Sequence, residues 1–427
     1  MLLVHTSDLH VGAEAFEGTP LQEAFYRVME EIAEICKDNK IKYLTIAGDL
    51  FDIDKPAYDV VLRTISVFKS LRESGTEVIV VPGNHDNSRR GEGVLNVLAE
   101  AGLIHLLSYN EEMGFLISHS RAFDEDRIVF YGIPGFKGGG SREIDYVKRA
   151  LIRFDNLSKY RDYSAVILAH LSTKFAGYDP SKYYWRYGKL HLEQEELLRR
   201  LPSNTTYVAL GHIHLPLPLD SSFRGNIAYP GAPIGIDSND LRETFELSKI
   251  GISRRILLVD LDHEPPLIKA LRLNSAPRVY YASVEARSTD EVKNYIKMAL
   301  GELGDAKYGA LILRVKGIER IDSEIENYKA EIMRKNNMFI SIKTTPHENY
   351  ESATQYFLVE NPINIQDELT LPDIELNVLR EVVEKRKLPL SVEKFKWLID
   401  KLSRGTSFTT EKLLEEIVKE LVEVING

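Results

Sequence analysis

The sequence predicts an α/β protein: two mixed sheets facing each other and flanked by helices, then a small α/β domain and a helical C-terminal segment. Three observations predict it. Short apolar runs alternate with amphipathic runs early in the chain, the β-α-β order that builds a parallel sheet with covering helices. Five further strand-like runs follow with little helix between some of them, which suggests a second sheet facing the first. Near 265–277 the composition changes, and a new β-α-β-α-β pattern begins beyond it.

Taken in order, "LLVHTSD" reads as a strand and "LQEAFYRVMEEIAEICKDN" as an amphipathic helix. "YLTIAGD", "AYDVVLRTISVFKSLRESG" and "EVIVVPGNHD" continue as strand, helix and strand. The second group is "RIVFYGIPG", "SAVILAHL", "TYVALGHIH", "NIAYPG" and "RRILLVDLD". "EPPLIKALRLNSAP" carries three prolines and ends this part. "RVYYASVEA", "TDEVKNYIKMALGEL", "GALILRVKG", "DSEIENYKAEIMRKN" and "MFISIKT" then make a compact unit. The expected boundaries are 1–270, 271–347 for that smaller domain, 348–371 for a linker, and 372–427 for a helical segment. In the last of these, Leu414, Ile417, Leu421 and Val424 form one apolar stripe opposite Glu and Lys.

Bulk properties narrow the function classes. Hydrophobic content of 44% and charged content of 28% are those of a globular protein. No apolar run approaches the ~18–20 residues that span a bilayer. The start "MLLVHTSDLH" has no basic n-region, so it does not read as a secretory signal. The single cysteine, Cys36, falls in a helical pattern and reads as a packed small hydrophobe. With no disulfide possible within the chain, a reducing cytoplasm is expected. A net charge of −10 argues against coating nucleic acid by bulk charge, though a local basic rim beside bound cations is compatible with it.

The chemistry is concentrated at strand ends. "SDLH" supplies Asp8 and His10, "AGDLFD" Asp49 and Asp52, and "PGNHD" Asn84, His85 and Asp86. "LAHLS" supplies His170, and "LGHIH" His212 and His214. Each block alone is ordinary loop or capping chemistry. Five of them in order, each at the same end of its strand, are not, because ligands bind beyond the carboxyl ends of strands in open α/β sheets. A bridging carboxylate with His, Asp and Asn donors suits a pair of cations roughly 3.5–4 Å apart, which stabilise the attacking and leaving oxygens of a displacement.

In that order the five blocks resemble the calcineurin-like metallophosphoesterase superfamily. Within it, "HTSDLHVG", "AGDLFD", "PGNHD" with "RRG", "LGHIH" and "YPGAP" resemble the SbcD-type and meiotic-recombination-eleven nucleases of double-strand-break repair, archaeal members among them. The resemblance implies one metal on Asp8, His10, Asp49 and His214. It implies a second on Asp49, Asn84, His170 and His212, two Mn²⁺ in all. His85 is implied as the catalytic residue that stabilises the transition state and helps protonate the leaving oxygen. Also implied are duplex 3′-to-5′ exonuclease and single-strand endonuclease activities, a DNA-capping domain, and a homodimer. The helical tail would dock an SMC-like ABC ATPase, and the site of action would be the cytoplasmic nucleoid.

Some residues stay open. Asp52 either orients His85 or caps a helix, where some family members have a second histidine. Asp86 fixes either the loop or the imidazole. Arg89 and Arg90 read as phosphate contacts or loop anchors beside a plain solvated turn. "FKGGGSRE" reads as a glycine-rich surface turn in preference to a flexible basic loop touching DNA, and no Gly-x-x-x-x-Gly-Lys-Ser/Thr loop occurs, so ATP dependence would need another polypeptide. Where the family has Tyr-Pro-Gly-Ser, this chain has Ala232. The rival enzyme reading is a phosphatase or small-molecule phosphodiesterase on the same scaffold.

Overall fold

The apolar runs at the start of the chain form strands because both of their faces are covered. In β1 (Leu2–Thr6), β2 (Tyr43–Ala47) and β3 (Glu77–Val81) the side chains alternate between two buried environments. Leu3, Tyr43, Ala47, Ile79 and Val81 enter a core between two sheets, while Val4, Leu44, Ile46, Val78 and Val80 pack toward helices. A strand buried on both faces has no polar alternation to show.

The computed structural model describes residues 1–345 apart from 89–92, 138–141, 189 and 319. The linker and helical segment predicted from 348 onward lie outside the described residues, as do Arg89 and Arg90. The described residues belong to one compact unit.

The first sheet has seven strands, ordered Ser222–Arg224, Leu267–Arg272, Arg255–Asp260, β1, β2, β3 and His105–Leu106. From β1 to His105–Leu106 the neighbours are parallel, and the other pairs are antiparallel. The second sheet places β4 (Ser164–His170) and β5 (Thr205–Gly211) side by side and parallel, between Ile128–Ile133 and Ile227–Ala228, with Arg121–Phe123 at one edge. Both sheets are mixed, and they face each other across the core of Tyr43, Phe130, Leu168, Tyr207 and Val259.

Helix α1 (Pro20–Asp38) starts with proline at its first position, where no N–H is needed, and buries Leu21, Phe25, Val28, Ile32 and Cys36. It lies beside α2 (Tyr58–Glu73). A third parallel sheet, Arg278–Glu285, Gly309–Lys316 and Met338–Thr345, carries helices Thr289–Leu303 and Ser323–Asn336 around its own core. Phe339 of this unit meets Phe16 edge-on at 5.0 Å, and Glu31 of α1 accepts from the backbone N–H groups of Asn274 and Ser275. No helix among the described residues is long and apolar enough to cross a membrane.

Among the elements without a counterpart in the sequence expectation is α3 (Ser238–Lys249), between "NIAYPG" and "RRILLVDLD". Asp237 caps it, accepting from Asn239 and Asp240 N–H at 2.7 and 2.8 Å. The signal is there in Asp237-x-x-Asp240, an N-cap residue followed three positions later by an acid.

Candidate metal centre

The carboxyl ends of β1, β2 and β3 open onto the same edge as those of β4 and β5, so loops from opposite sheets meet. Glycine makes the meeting possible. At Gly48, with φ of +89°, a Cβ would stand 2.2 Å from His170 Nδ1. At Gly83 a Cβ would stand 2.1 Å from Asp49 Oδ1. Four side-chain-bearing residues here hold left-handed backbone: Asp8 at +53°, His10 at +43°, Asp49 at +51° and His212 at +90°. That conformation is costly for L-residues and gathers at functional sites. The loops hold it by pairing, with Asp8 N–H donating to Gly48 O and His10 N–H to Asp49 O, both at 3.0 Å.

The geometry brings all seven predicted ligands together. Asp8, His10 and His214 offer donor atoms within 4.8 Å of one another, and so do Asp8, Asp49 and His170. His170 Nε2 is 3.2 Å from Asp49 Oδ2, His10 Nε2 is 3.8 Å from the same oxygen, and His214 Nε2 is 3.7 Å from Asp8 Oδ1. Asn84 Oδ1 lies 3.0 Å from both His170 Nε2 and His212 Nδ1. Asp8 and Asp49 are 0% and 1% exposed, so water cannot balance their charge.

The ring orientations are set from behind. His170 Nδ1–H donates to Ala47 O at 2.9 Å, His10 Nδ1–H to Asp52 Oδ1 at 3.1 Å, and His214 Nδ1–H to Asp240 Oδ2 at 2.7 Å. Each bond occupies Nδ1 and turns Nε2 to the carboxylates, so that in the neutral ring Nε2 carries the lone pair, the arrangement that fixes a metal-ligating tautomer. His10 Nε2 and His214 Nε2 are 3.3 Å apart. At that distance the two nitrogens can share a proton or a cation.

The titration behaviour says the same. Burial works to lower His170, yet Asp49 and Asp8 outweigh it and raise it to about 10. Burial works to raise Asp49, but His170 and His10 hold it below the usual carboxylate range. Burial raises Asp8, and Asp49 adds to the rise. Burial lowers His212 to about 3, helped by His170, and lowers His214 well below its ordinary value, helped by Arg186. Asp8 and Asp49 thus favour a positive partner at His170, while His170 and Arg186 oppose a charge on the two imidazoles beside them.

His85 takes a different place. Its N–H donates to Asp49 Oδ1 and its Nδ1–H to the main-chain carbonyl of Asp52, both at 2.8 Å. Its ring meets His10 edge-on at 4.7 Å, and its side chain is 37% exposed. Asp52 therefore holds His85 through its carbonyl, while its carboxylate holds His10 and accepts from Glu14 N–H, the start of a short 3₁₀ turn. Both open readings of Asp52 meet here in altered form. Asp86 ties loops: Oδ1 accepts from Gly83 N–H, and Oδ2 from Leu50 and Phe51 N–H. Burial and then Asp49 push it up to about 7, against the Gly83 and Phe51 donors. Ala232 acts by its backbone, donating to His214 O at 3.0 Å.

Sequence reasoning missed the support of His214. Asp240 is fully buried, pairs with Arg186, and lies beside Arg254, which donates to His214 O, Asp240 O and Glu243 Oε1. Ser7, which donates to Asp8 Oδ2 at 2.6 Å, was missed as well. Ser7 sits inside "SDLH" and was within reach of the motif; Arg186 lies in no recognisable one.

Comparison with known proteins gives a consistent result. The calcineurin-like phosphoesterase family matches residues 1–216. The chain is 26% identical over 237 residues to the DNA double-strand break repair protein Mre11 of Methanopyrus kandleri, covering 55% of this chain and 49% of that one. It is 26% identical over 282 residues to the protein of the same name from Saccharolobus solfataricus, covering 65% and 64%. To a component of the nuclease SbcCD of Bacillus subtilis it is 24% identical over 306 residues, covering 66% and 74%. Against the first two, the chain spans between about half and two thirds of the relative's length.

Proposed function

The chain belongs to the calcineurin-like phosphoesterase family, and from that premise we propose that it is a metal-dependent DNA nuclease of double-strand-break repair. The observation that carries the metal reading is the buried pair Asp8 and Asp49, faced by imidazole nitrogens whose other nitrogen is already bonded. The donor set fits two divalent cations. Asp8, His10, Asp49 and His214 would hold one, and Asp49, Asn84, His170 and His212 the other. Mixed oxygen and imidazole donors suit Mn²⁺. Two such cations would supply Lewis acidity to an in-line phosphoryl displacement.

The chain's own residues do the rest. Asp49 sits between the two sets and also orders the backbone of His85. His85, with Nδ1–H on the Asp52 carbonyl, presents Nε2 to the substrate and, when protonated, passes its proton to the leaving oxygen. Asp52 and Asp86 hold the two loops in register.

DNA as substrate is supported by the names of the relatives and by the α/β unit at 278–345, docked on the same face as α1 and α3. The expected activities are duplex 3′-to-5′ exonuclease and single-strand endonuclease, exercised at the cytoplasmic nucleoid. Arg89 and Arg90 would touch phosphates, and segment 372–427 would dock an SMC-like ABC ATPase. A homodimer fits α2, which leaves Tyr58 and Leu62 exposed one turn apart, and the next helix, Val94–Glu100, which leaves Val97 exposed. End-labelled duplex DNA should be degraded by the purified chain with Mn²⁺. Efficient turnover of small phosphate esters without DNA cleavage would favour the small-molecule enzyme instead.

A further inference from the structure

We propose that Asp240 is a positioning residue that holds the His214 ring so that Nε2 faces one of the two cations; the role rests on the metal reading above. Asp240 lies in the first turn of α3, outside every motif, and its side chain is 0% exposed. A carboxylate buried so deeply is costly unless it is paired and hydrogen-bonded. Its Oδ2 accepts from His214 Nδ1–H at 2.7 Å and from Ile236 N–H at 3.1 Å, and its Oδ1 pairs with the Arg186 guanidinium.

The spacing explains why the carboxylate is needed. Arg186 Nη2 lies 3.0 Å from His214 Nδ1. An N–H on each can be satisfied side by side only if an acceptor serves both. Without Asp240, the guanidinium would donate to Nδ1 and drive the ring proton to Nε2, removing the lone pair a cation needs. Arg254 closes the other side through His214 O, Asp240 O and Glu243 Oε1. Two carboxylates and two guanidiniums balance, and the ring is left one orientation. His10 and His170 are held differently, by a partly exposed carboxylate and by a main-chain carbonyl.

Two variants of the full chain test this. Arg186→Met with Asp240→Leu removes the acceptor without stranding a guanidinium, whereas Arg186→Met with Asp240→Asn keeps an oxygen for Nδ1–H. Mn²⁺ is titrated into metal-free protein, with circular dichroism confirming the fold. The wild type should bind two ions. The variant with Asp240→Leu should bind one of them ~10–100-fold more weakly and leave the other unchanged, and the variant with Asp240→Asn should recover most of the loss. Nitrogen-15 spectra of the metal-free wild type should show His214 neutral and protonated on Nδ1. A folded variant with Asp240→Leu that binds both ions as tightly as the wild type overturns the proposal. So does a wild-type His214 carrying its proton on Nε2, a readout that decides the matter even if that variant fails to fold. A wild type that takes up no ion sinks the metal reading and the positioning role together. Two-ion wild type beside an unaffected variant sinks only the latter.

Discussion

Asn84 and His85 are chain neighbours with different duties. Asn84 Oδ1 sits 3.0 Å from two imidazoles of the candidate centre, whereas His85 is tied back through Nδ1 to Asp52 O and keeps a half-exposed ring. His85→Ser should therefore bind two ions and DNA as the wild type does, yet lose hydrolysis by ~10²-fold or more, the range for a general acid. Metal analysis showing a lost ion in that variant would reassign His85 as a ligand. The strand-end residues are legible in sequence because a β-α-β pattern dictates where strands stop. Arg186 and Asp240 are not, since they stand 28 and 26 residues from His214 and act through a ring whose own motif gives no hint of them. Asp52 was legible as a participant, but which of its atoms meets which histidine is a matter of backbone course.

At the scale of elements, α3 joins two regions. Asp240 and Glu243 turn inward to the His214 support, while Phe245 meets Tyr280 at 5.4 Å and the Arg242 guanidinium lies over Tyr281 at 4.9 Å. One helix thus touches both the candidate centre and the sheet at 278–345. Its short length and polar first turn hid it beside the stronger strand patterns on either side, although the Asp237 cap could have marked its start. That cap is testable. Asp237→Ala leaves two first-turn N–H groups without their side-chain acceptor and should cost about 1 kcal/mol, read as a lower urea midpoint. An unchanged midpoint would mean that burial of Leu241 and Leu247 alone holds the helix.

The whole molecule depends on two sheets staying face to face, and His5 is a buried polar side chain that spans the gap. His5 of β1 bonds through Nδ1 to the Tyr207 hydroxyl at 2.8 Å and donates from Nε2 to Leu210 O at 3.1 Å, both on β5, more than 200 residues away. The apolar run around it predicts a strand, but nothing near it in sequence identifies the partner. Burial lowers His5 to about 3, against the backbone bond to Leu210. Unfolded, the ring titrates near 6.5. Between those values the unfolded chain holds a proton that the folded chain refuses, so stability must fall as pH drops from about 6.5 toward about 3, by up to about 1.4 kcal/mol per pH unit. His5→Gln keeps a donor for Leu210 and an acceptor for Tyr207 without titrating. Urea unfolding of the metal-free chain at several pH values should therefore give the variant a flatter decline in this window than the wild type. Other acidic groups contribute equally to both and cancel in the difference. Parallel declines would show that His5 is protonated within the fold and that the sheets tolerate a charge between them.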